Sequence, residues 1–361
     1  MGNFVERQTL ELAARPGVEV EVVAPIGRAP FPLSDLPVQE VWKGIAVHRL
    51  RFPHIHYLPS LRPRALARRL LPLASAIRER FAFDVISAEF SWPDGPAAIV
   101  VGRALGVPVV IKARGMEFER RAERGSTRRQ LLASGLAAQG LLAVSSSLRA
   151  TMAAIGLPAE RIAVHHPAVD PDLFRPGDRA AAKARLGITG PLLLAVGNLI
   201  PEKGHWLAVE ALARIEGATL IVAGSGRERG ALLARAQRLG VAGRLRLPGS
   251  LPHALLPACY AAADVTLHPS LIEGFGNARL ESLACGTPLV TTAVGDAALI
   301  VDRPAAGRIV EADPQVMAEA VLGLLADPPP PESVRESVRN FSWARQSAEL
   351  ERHLAAAAGA R

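Results

Sequence analysis

The sequence predicts an α/β protein of two Rossmann-like domains, each a mostly parallel sheet covered by helices. Three observations lead there. The 361 residues are roughly twice the length of a common domain. Short apolar runs alternate with amphipathic helical patterns along most of the chain, the order that builds parallel sheets. The alternation is broken by a proline-containing stretch, His166–Pro176, and then resumes.

The elements follow in order. A helix is predicted over Val5–Ala14, directly after Met1-Gly2-Asn3-Phe4. A Rossmann-like half ordinarily opens on a buried strand and a glycine-rich turn, so this half begins at its first helix. Val18–Ala24 is a strand, and Val38–Arg49 holds another around Ile45–His48. Pro63–Arg80 is a helix with Leu66, Leu70, Leu73 and Ile77 on one face and arginines on the other. Asp84–Ser87 and Val107–Ile111 are short buried strands flanking a helix, Pro96–Leu105. Leu141–Ser145 is a strand, and the serines Ser145–Ser147 cap the helix after it. The second alternation has strands at Leu192–Val196, Thr219–Ala223, Leu245–Leu247, Val265–His268 and Pro288–Thr292. Pro328–Pro331 stops it before a last helix, Ser342–Ala358. The expected domains are residues 1–170 and 171–340, with 341–361 packing back toward the first.

Composition narrows the function. With 49% hydrophobic residues the chain can bury sizeable cores, which excludes disorder. Its two cysteines, Cys259 and Cys285, form no CxxC or Cys/His cluster, so neither a disulfide scaffold nor structural zinc is expected. No apolar run is long enough to span a bilayer, and Glu6, Arg7 and Glu11 interrupt any signal-peptide core; a cytoplasmic protein is expected. The formal charge of +8 suits nucleic acid, an anionic membrane surface or a phosphorylated substrate. At 4% aromatics the chain is poor in base-stacking groups, so no nucleic-acid partner is expected.

Three stretches carry chemistry. In Ser270–Pro288, SLIEGFGNARLESLACGTP, Glu273 follows a strand in a turn broken by Gly274 and Gly276 around Phe275. Asn277 is placed to cap a helix that contains Glu281 and ends at Gly286. Such a turn aims backbone N–H groups at an anion, and carboxylates accept hydrogen bonds from adjacent sugar hydroxyls. As a hydrolase pair the two glutamates fit less well, since eight helical residues span about 12 Å against roughly 5–9.5 Å between glycosidase carboxyls. Second, Val196–Gly204 is a strand running into a turn with Asn198 and Lys203, at the sheet edge where open α/β sheets bind ligands. Third, Gly224 and Gly226 directly follow a strand. No GxxxxGK[ST] is present, which argues against a P-loop enzyme, and no GxGxxG follows a strand, which argues against a nicotinamide oxidoreductase.

The order VGNL…EKG, AGSG, LPHALLPACYAAADV and PSLIEGFGNARLESLACGTP resembles the retaining glycosyltransferases of family 4, which share the GT-B fold. The matching pieces cover most of residues 165–300, and Glu273…Glu281 is similar to the family's E-x7-E motif. Looser likenesses in the first half include ARPGVEVEVVAP, Pro93-Asp94-Gly95 and Arg114-Gly115-Met116-Glu117. The resemblance implies two domains facing across a cleft, with a nucleotide-sugar donor held by the second. It implies Lys203 on the diphosphate, Glu281 on the ribose and Glu273 on the transferred sugar. Asn198, Gly224, Gly226 and the Gly274–Asn277 turn lie beside the donor. Arg114 stands with Lys203 and Glu273 as catalytic, and Gly2, Asn3, Glu89 and Glu117 lie toward the acceptor. No metal and no cofactor beyond a UDP- or GDP-sugar co-substrate is implied, consistent with the lack of a DxD or a His cluster on metal-ligand spacing.

The chain departs from the family pattern where Asn198 replaces an arginine, Arg114 a histidine, and His165-His166-Pro167-Ala168 an IPNG-like run. The family's first strand and glycine-rich loop are missing ahead of Met1; a mis-set start or a truncated chain is expected, the other reading being an acceptor domain built without its central strand. Between residues 49 and 80 arginines stand at 49, 51, 62, 64, 68, 69, 78 and 80 against one acid, Glu79. This favours a peripheral contact with an anionic membrane through helix 63–80, and hence a lipid-linked or polysaccharide acceptor. The expected activity is retaining, metal-independent hexosyl transfer. The alternatives are a non-catalytic or truncated nucleotide-sugar binder, such as a subunit of a heteromeric transferase, or a nucleotide-sugar epimerase of the same fold.

Overall fold

Helix α1 (Asn3–Ala13) is the first described element of the computed structural model, which describes residues 3–27, 37–52, 58–115, 118 and 125–359. Val5, Gln8 and Leu12 are its buried positions, the spacing of one helical face. Strands β1 (Glu21–Gly27), β2 (Gln39–Trp42) and β3 (Ile45–Phe52) form a three-stranded sheet in the order β1–β3–β2. The tight turn between β2 and β3 uses Lys43 and Gly44, both at positive φ, the geometry that suits a two-residue hairpin. Helix α2 (Arg62–Arg80) buries Leu66 and Ala67 against Phe52 of β3 and Ala97.

A second sheet in the same unit joins β4 (Ile86–Ala88), β5 (Val109–Ala113), β6 (Gly140–Ala143) and β7 (Ile162–Val164), all parallel and in chain order. Helices α3 (Asp94–Leu105), α4 (Gly125–Ala137) and α5 (Ser146–Ala154) connect them, and the Ser145 side chain caps α5 by accepting from Leu148 N–H. The strand read at 18–24 thus sits in a sheet of its own, half-buried along its whole length.

The chain forms two units, Met1–His166 with Trp343–Arg361 and Pro167–Ser342, whose limits fall a few residues from those read in the sequence. The second unit begins with α6 (Arg179–Arg185), capped by Asp178. Its sheet contains β8 (Leu192–Val196), β9 (Thr219–Ala223), β10 (Leu245–Gly249), β11 (Val265–His268), β12 (Leu289–Thr292) and β13 (Gly307–Val310). All neighbours are parallel, in the order β10–β9–β8–β11–β12–β13. Helices α7 (His205–Leu212), α8 (Arg229–Arg238), α9 (Leu256–Ala262), α10 (Asn277–Ala284), α11 (Ala297–Ile300), α12 (Pro314–Ala326) and α13 (Pro331–Arg335) flank it. Leu193, Ala195, Leu220, Val222, Val265 and Leu267 are wholly or almost wholly buried against α7 and α12. Each such large aliphatic side chain contributes roughly 1.5–3 kcal/mol. The sequence reading missed β13, because only its first residue is buried.

The last helix, α14 (Trp343–Gly359), belongs to the first unit, where Leu350, Leu354 and Ala357 share a core with Leu12, Val110 and Leu142.

Asp94, in the first turn of α3, has its pKa raised to about 6 by burial and by the charge of Glu89. A raised folded-state pKa means that this carboxyl's contribution to stability falls as pH rises from about 4 to about 6 and is level above that. Asp94→Asn is therefore expected to raise the free energy of unfolding in urea at pH 8 by about 3 kcal/mol, and to leave it nearly unchanged at pH 4.

Candidate active site

The sheet order of the second unit creates a switch point. From β8 the chain leaves toward β9 on one side, while from β11 it leaves toward β12 on the other. In open α/β sheets ligands bind beyond the carboxyl ends of the strands at such a point. The loop after β8 makes a tight turn, Pro201–Lys203, closed by Gly204 at φ +59°. A Cβ there would meet Pro269 O at 2.1 Å, so only glycine lets this loop press against the one after β11. Leu271 N–H donates to Glu202 O at 2.8 Å across the same seam. At its end Lys203 Nζ donates to Glu273 Oε2 at 2.5 Å. Both side chains are largely buried, 16% and 10% exposed, so the pair is only weakly screened by solvent. Ser270 Oγ also donates to Glu273 Oε2, at 3.3 Å, and Gly274 N–H to Oε1 at 3.2 Å.

Gly224 and Gly226 serve this arrangement through close packing. A Cβ on Gly224 would lie 1.8 Å from Gly197 O, and one on Gly226 2.3 Å from Leu199 O. The turn after β9 thereby lies directly on the Asn198 turn, with Leu199 N–H donating to Ser225 O at 2.8 Å. Asn198 itself is exposed at the tip.

The turn after Glu273 corrects one expectation. Asn277 is the first residue of α10 and not its cap; that place is taken by Gly276, at φ +90°, with no side-chain cap. Phe275 is buried with its ring 5.7 Å from that of Phe341, so Gly274, Phe275 and Gly276 offer backbone to the site. Glu281 lies within α10, where Tyr260 OH donates to Oε2 at 3.0 Å and His253 Nε2 stands 3.2 Å from Oε1. The hydrogen bond to Glu281 raises the His253 pKa, against an opposing effect of burial.

A second polar cluster lies in the first unit, at the carboxyl ends of β4 and β5. Arg114 is paired with the Glu89 carboxylate, donates to Gln8 Oε1 at 3.2 Å and stacks 4.6 Å over the Phe4 ring. Burial pushes the Glu89 pKa up, but Arg114 and Lys112 together hold it down at about 2. Lys112 is fully buried, donating to Gln8 Oε1 at 2.8 Å and to His165 Nδ1 at 2.5 Å. Asn3 opens α1, while Gly2 and Glu117 lie outside the described residues.

Comparison with known proteins places these two units. The family described as "Glycosyltransferase Family 4" matches residues 1–173, and "Glycosyl transferases group 1" matches 190–327. D-inositol 3-phosphate glycosyltransferase 1 of Catenulispora acidiphila is 31% identical over 90% of this chain and 82% of its own length. The chain belongs to the family 4 glycosyltransferases. The Mycobacterium avium D-inositol 3-phosphate glycosyltransferase is 29% identical over 95% of the chain and 85% of its own. Among solved structures, sucrose-phosphate synthase from Thermosynechococcus elongatus has a TM-score of 0.79 at 21% identity, covering 97% of this chain and 91% of that one. Anabaena HepE, solved in complex with UDP-glucose, has 0.74 at 19%, covering 86% of each. The fold is GT-B.

In this glycosyltransferase the structure brings Lys203 and Glu273 into direct contact and places the Gly274–Gly276 backbone next to them in sequence. Arg114, read as catalytic, lies in the first unit with its charge already matched by Glu89. Sequence reasoning missed His253, Tyr260, His268 and Arg279. Arg279 had a signal: it stands four residues before the buried Leu283, on the core-facing side of α10, where a charge needs a partner. Among the described residues no group of three or more His, Cys, Asp or Glu could hold a metal ion.

Gly224→Ala is expected to destabilise the glycosyltransferase by more than about 3 kcal/mol, the scale of severe overpacking, measured by chemical denaturation. Gly230→Ala, at a position with nothing within 4 Å of the new Cβ, is the neutral control.

Proposed function

We propose that this glycosyltransferase moves a hexosyl unit from a nucleoside diphosphate sugar to a lipid-linked or polysaccharide acceptor, with retention and without a metal. The observation that carries the reading is the Lys203–Glu273 contact at the switch point of a parallel sheet, on the segment that also carries Glu281. Lys203 neutralises the diphosphate, Glu281 accepts from the ribose hydroxyls, and Glu273 accepts from hydroxyls of the transferred sugar. UDP and UDP-glucose bound to the HepE neighbour support a uridine donor.

The chemistry follows from where charge grows. The bond between the anomeric carbon and the phosphate oxygen breaks, leaving negative charge on the diphosphate and positive charge on the sugar ring. The acceptor oxygen bonds to the same face, and its proton passes to an oxygen of the leaving diphosphate. Cations and N–H groups already in place where charge develops supply most of such a rate enhancement. Lys203 and the Gly274–Gly276 backbone meet that need on the donor side, and Arg114 with Glu89 belongs to the acceptor side.

Helix α2 supports an anionic surface as the setting, in a cytoplasmic, membrane-peripheral protein. Arg64, Arg68 and Arg69 are exposed on it, whereas Arg80 is paired with Glu21 and Arg62 lies over the Trp92 ring. No described helix is long and apolar enough to cross a membrane. A second acceptor class, a phosphorylated polyol, is favoured by the D-inositol 3-phosphate glycosyltransferases among the relatives.

Two measurements test these points. Saturating UDP is expected to raise the melting temperature, as about 2.7 kcal/mol does at a hundred times the dissociation constant. Glu281→Ala and Lys203→Met should each remove most of that shift. If neither UDP nor GDP shifts the wild type, the donor-site reading fails. For the acceptor setting, Arg68→Glu with Arg69→Glu is expected to cut sedimentation with phosphatidylglycerol vesicles several-fold; unchanged sedimentation removes the membrane and favours the soluble polyol.

A further inference from the structure

Arg279 is the largest fully buried side chain among the described residues, with an exposure of 0%. It lies beneath the turn that carries Glu273. Its Nη1 donates to Phe275 O at 3.3 Å and to Val294 O at 2.8 Å, and Nε donates to His268 Nδ1 at 3.3 Å. Because His268 Nδ1 accepts, the ring proton sits on Nε2, and Nε2 lies 3.4 Å from Glu273 Oε2. The order is therefore guanidinium, imidazole, carboxylate. Gly276 is required above it, since a Cβ there would meet Arg279 Cδ at 3.2 Å and His268 Cε1 at 3.3 Å. Arg279 Nη2 is buried with no hydrogen-bond partner among the described residues.

The need for a second cation follows from Lys203. Lys203 is the close counter-charge of Glu273. On the donor-site reading, on which this inference rests, Lys203 turns to the diphosphate, and a carboxylate only 10% exposed then loses its near partner. The groups facing Glu273 are Lys203 from the β8 loop, Ser270 and His268 from the end of β11, and Arg279 from α10. We propose that Arg279 is a positioning residue that, acting through His268, keeps the Glu273 carboxylate charged and aimed at the sugar once Lys203 has moved to the diphosphate. Burial pulls Arg279 down to about 10, and the charges of Glu273 and Asp296 oppose that fall, so it stays cationic at neutral pH. His268 is driven well below the usual range, first by burial and then by Arg279, Lys203 and His205, so it remains a neutral donor to the carboxylate.

The test is proton uptake on binding UDP-glucose, whose diphosphate has no group titrating near neutrality, read by calorimetry at pH 6.5 in two buffers of different ionisation heat. In the wild type the uptake should equal that of Glu273→Gln, because no carboxyl is being protonated. Arg279→Gln should take up more protons than the wild type, entering the Glu273–His268 pair. Arg279→Lys, which keeps the charge, should bring uptake back toward the wild type, and adding Glu273→Gln to Arg279→Gln should abolish the excess. A role in packing alone lowers the melting temperature and leaves uptake unchanged, and that result overturns the proposal. So does a wild type that takes up more protons than Glu273→Gln, a comparison that needs no Arg279 variant to fold. If neither UDP nor GDP binds the folded wild type, the donor-site reading falls and this proposal with it; if GDP alone binds, the same comparison is made with a GDP-hexose, and binding with uptake unaltered in Arg279→Gln overturns this proposal alone.

Discussion

The ion pair between Lys203 and Glu273 is the point on which the second unit converges. It joins loops from two adjacent strands that lead the chain in opposite directions, so no hairpin or shared helix holds those loops together. Removing one member of a buried pair leaves an uncompensated charge, a far larger penalty than the pair's own net contribution. The glycines at 204, 224 and 226 make the contact reachable, because each removes a Cβ that would stand between neighbouring backbones. A diphosphate offers Lys203 the same anionic chemistry as the carboxylate, and the pair is in this sense a ligand-shaped contact made within the protein.

Departures from the family pattern have physical counterparts. On the sequence reading Asn198 stands where the family usually has an arginine, and in this chain the neighbouring backbone is tightly fixed, by Gly224 beneath Gly197 and by Ser225 O accepting from Leu199. Arg114 takes the place of a histidine, but its guanidinium is bound up with Glu89 and Gln8 and lies over Phe4. A group so engaged is suited to shaping a surface rather than to exchanging a proton.

Much of the fold was legible because buried parallel strands announce themselves as short apolar runs, and Leu192–Val196, Thr219–Ala223 and Val265–His268 did so. β13 did not, since two of its four residues are exposed and its first is a glycine. Glu273 and Glu281 stood out in the sequence by turn chemistry and by their likeness to the family's E-x7-E motif, and Lys203 by its place in the turn after a buried strand. The partners of those residues were not. Tyr260 and His253 reach Glu281 across 21 and 28 residues, and such distant contacts leave no local pattern. The sequence reading also made Asn277 a cap, because asparagine is a good one; a glycine in the left-handed region took the place instead.

The position of α14 has a consequence for how the molecule is made. Leu350, Leu354 and Ala357 complete a core whose other members, Leu12, Val110 and Leu142, precede the whole second unit. His165 Nε2 likewise pairs with Gln346 O, and Arg15 with Glu351. During synthesis the second unit can close on itself while the first still waits for its final helix. The core at Leu12, Val110 and Leu142 is thus completed only by residues synthesised after the whole of the second unit.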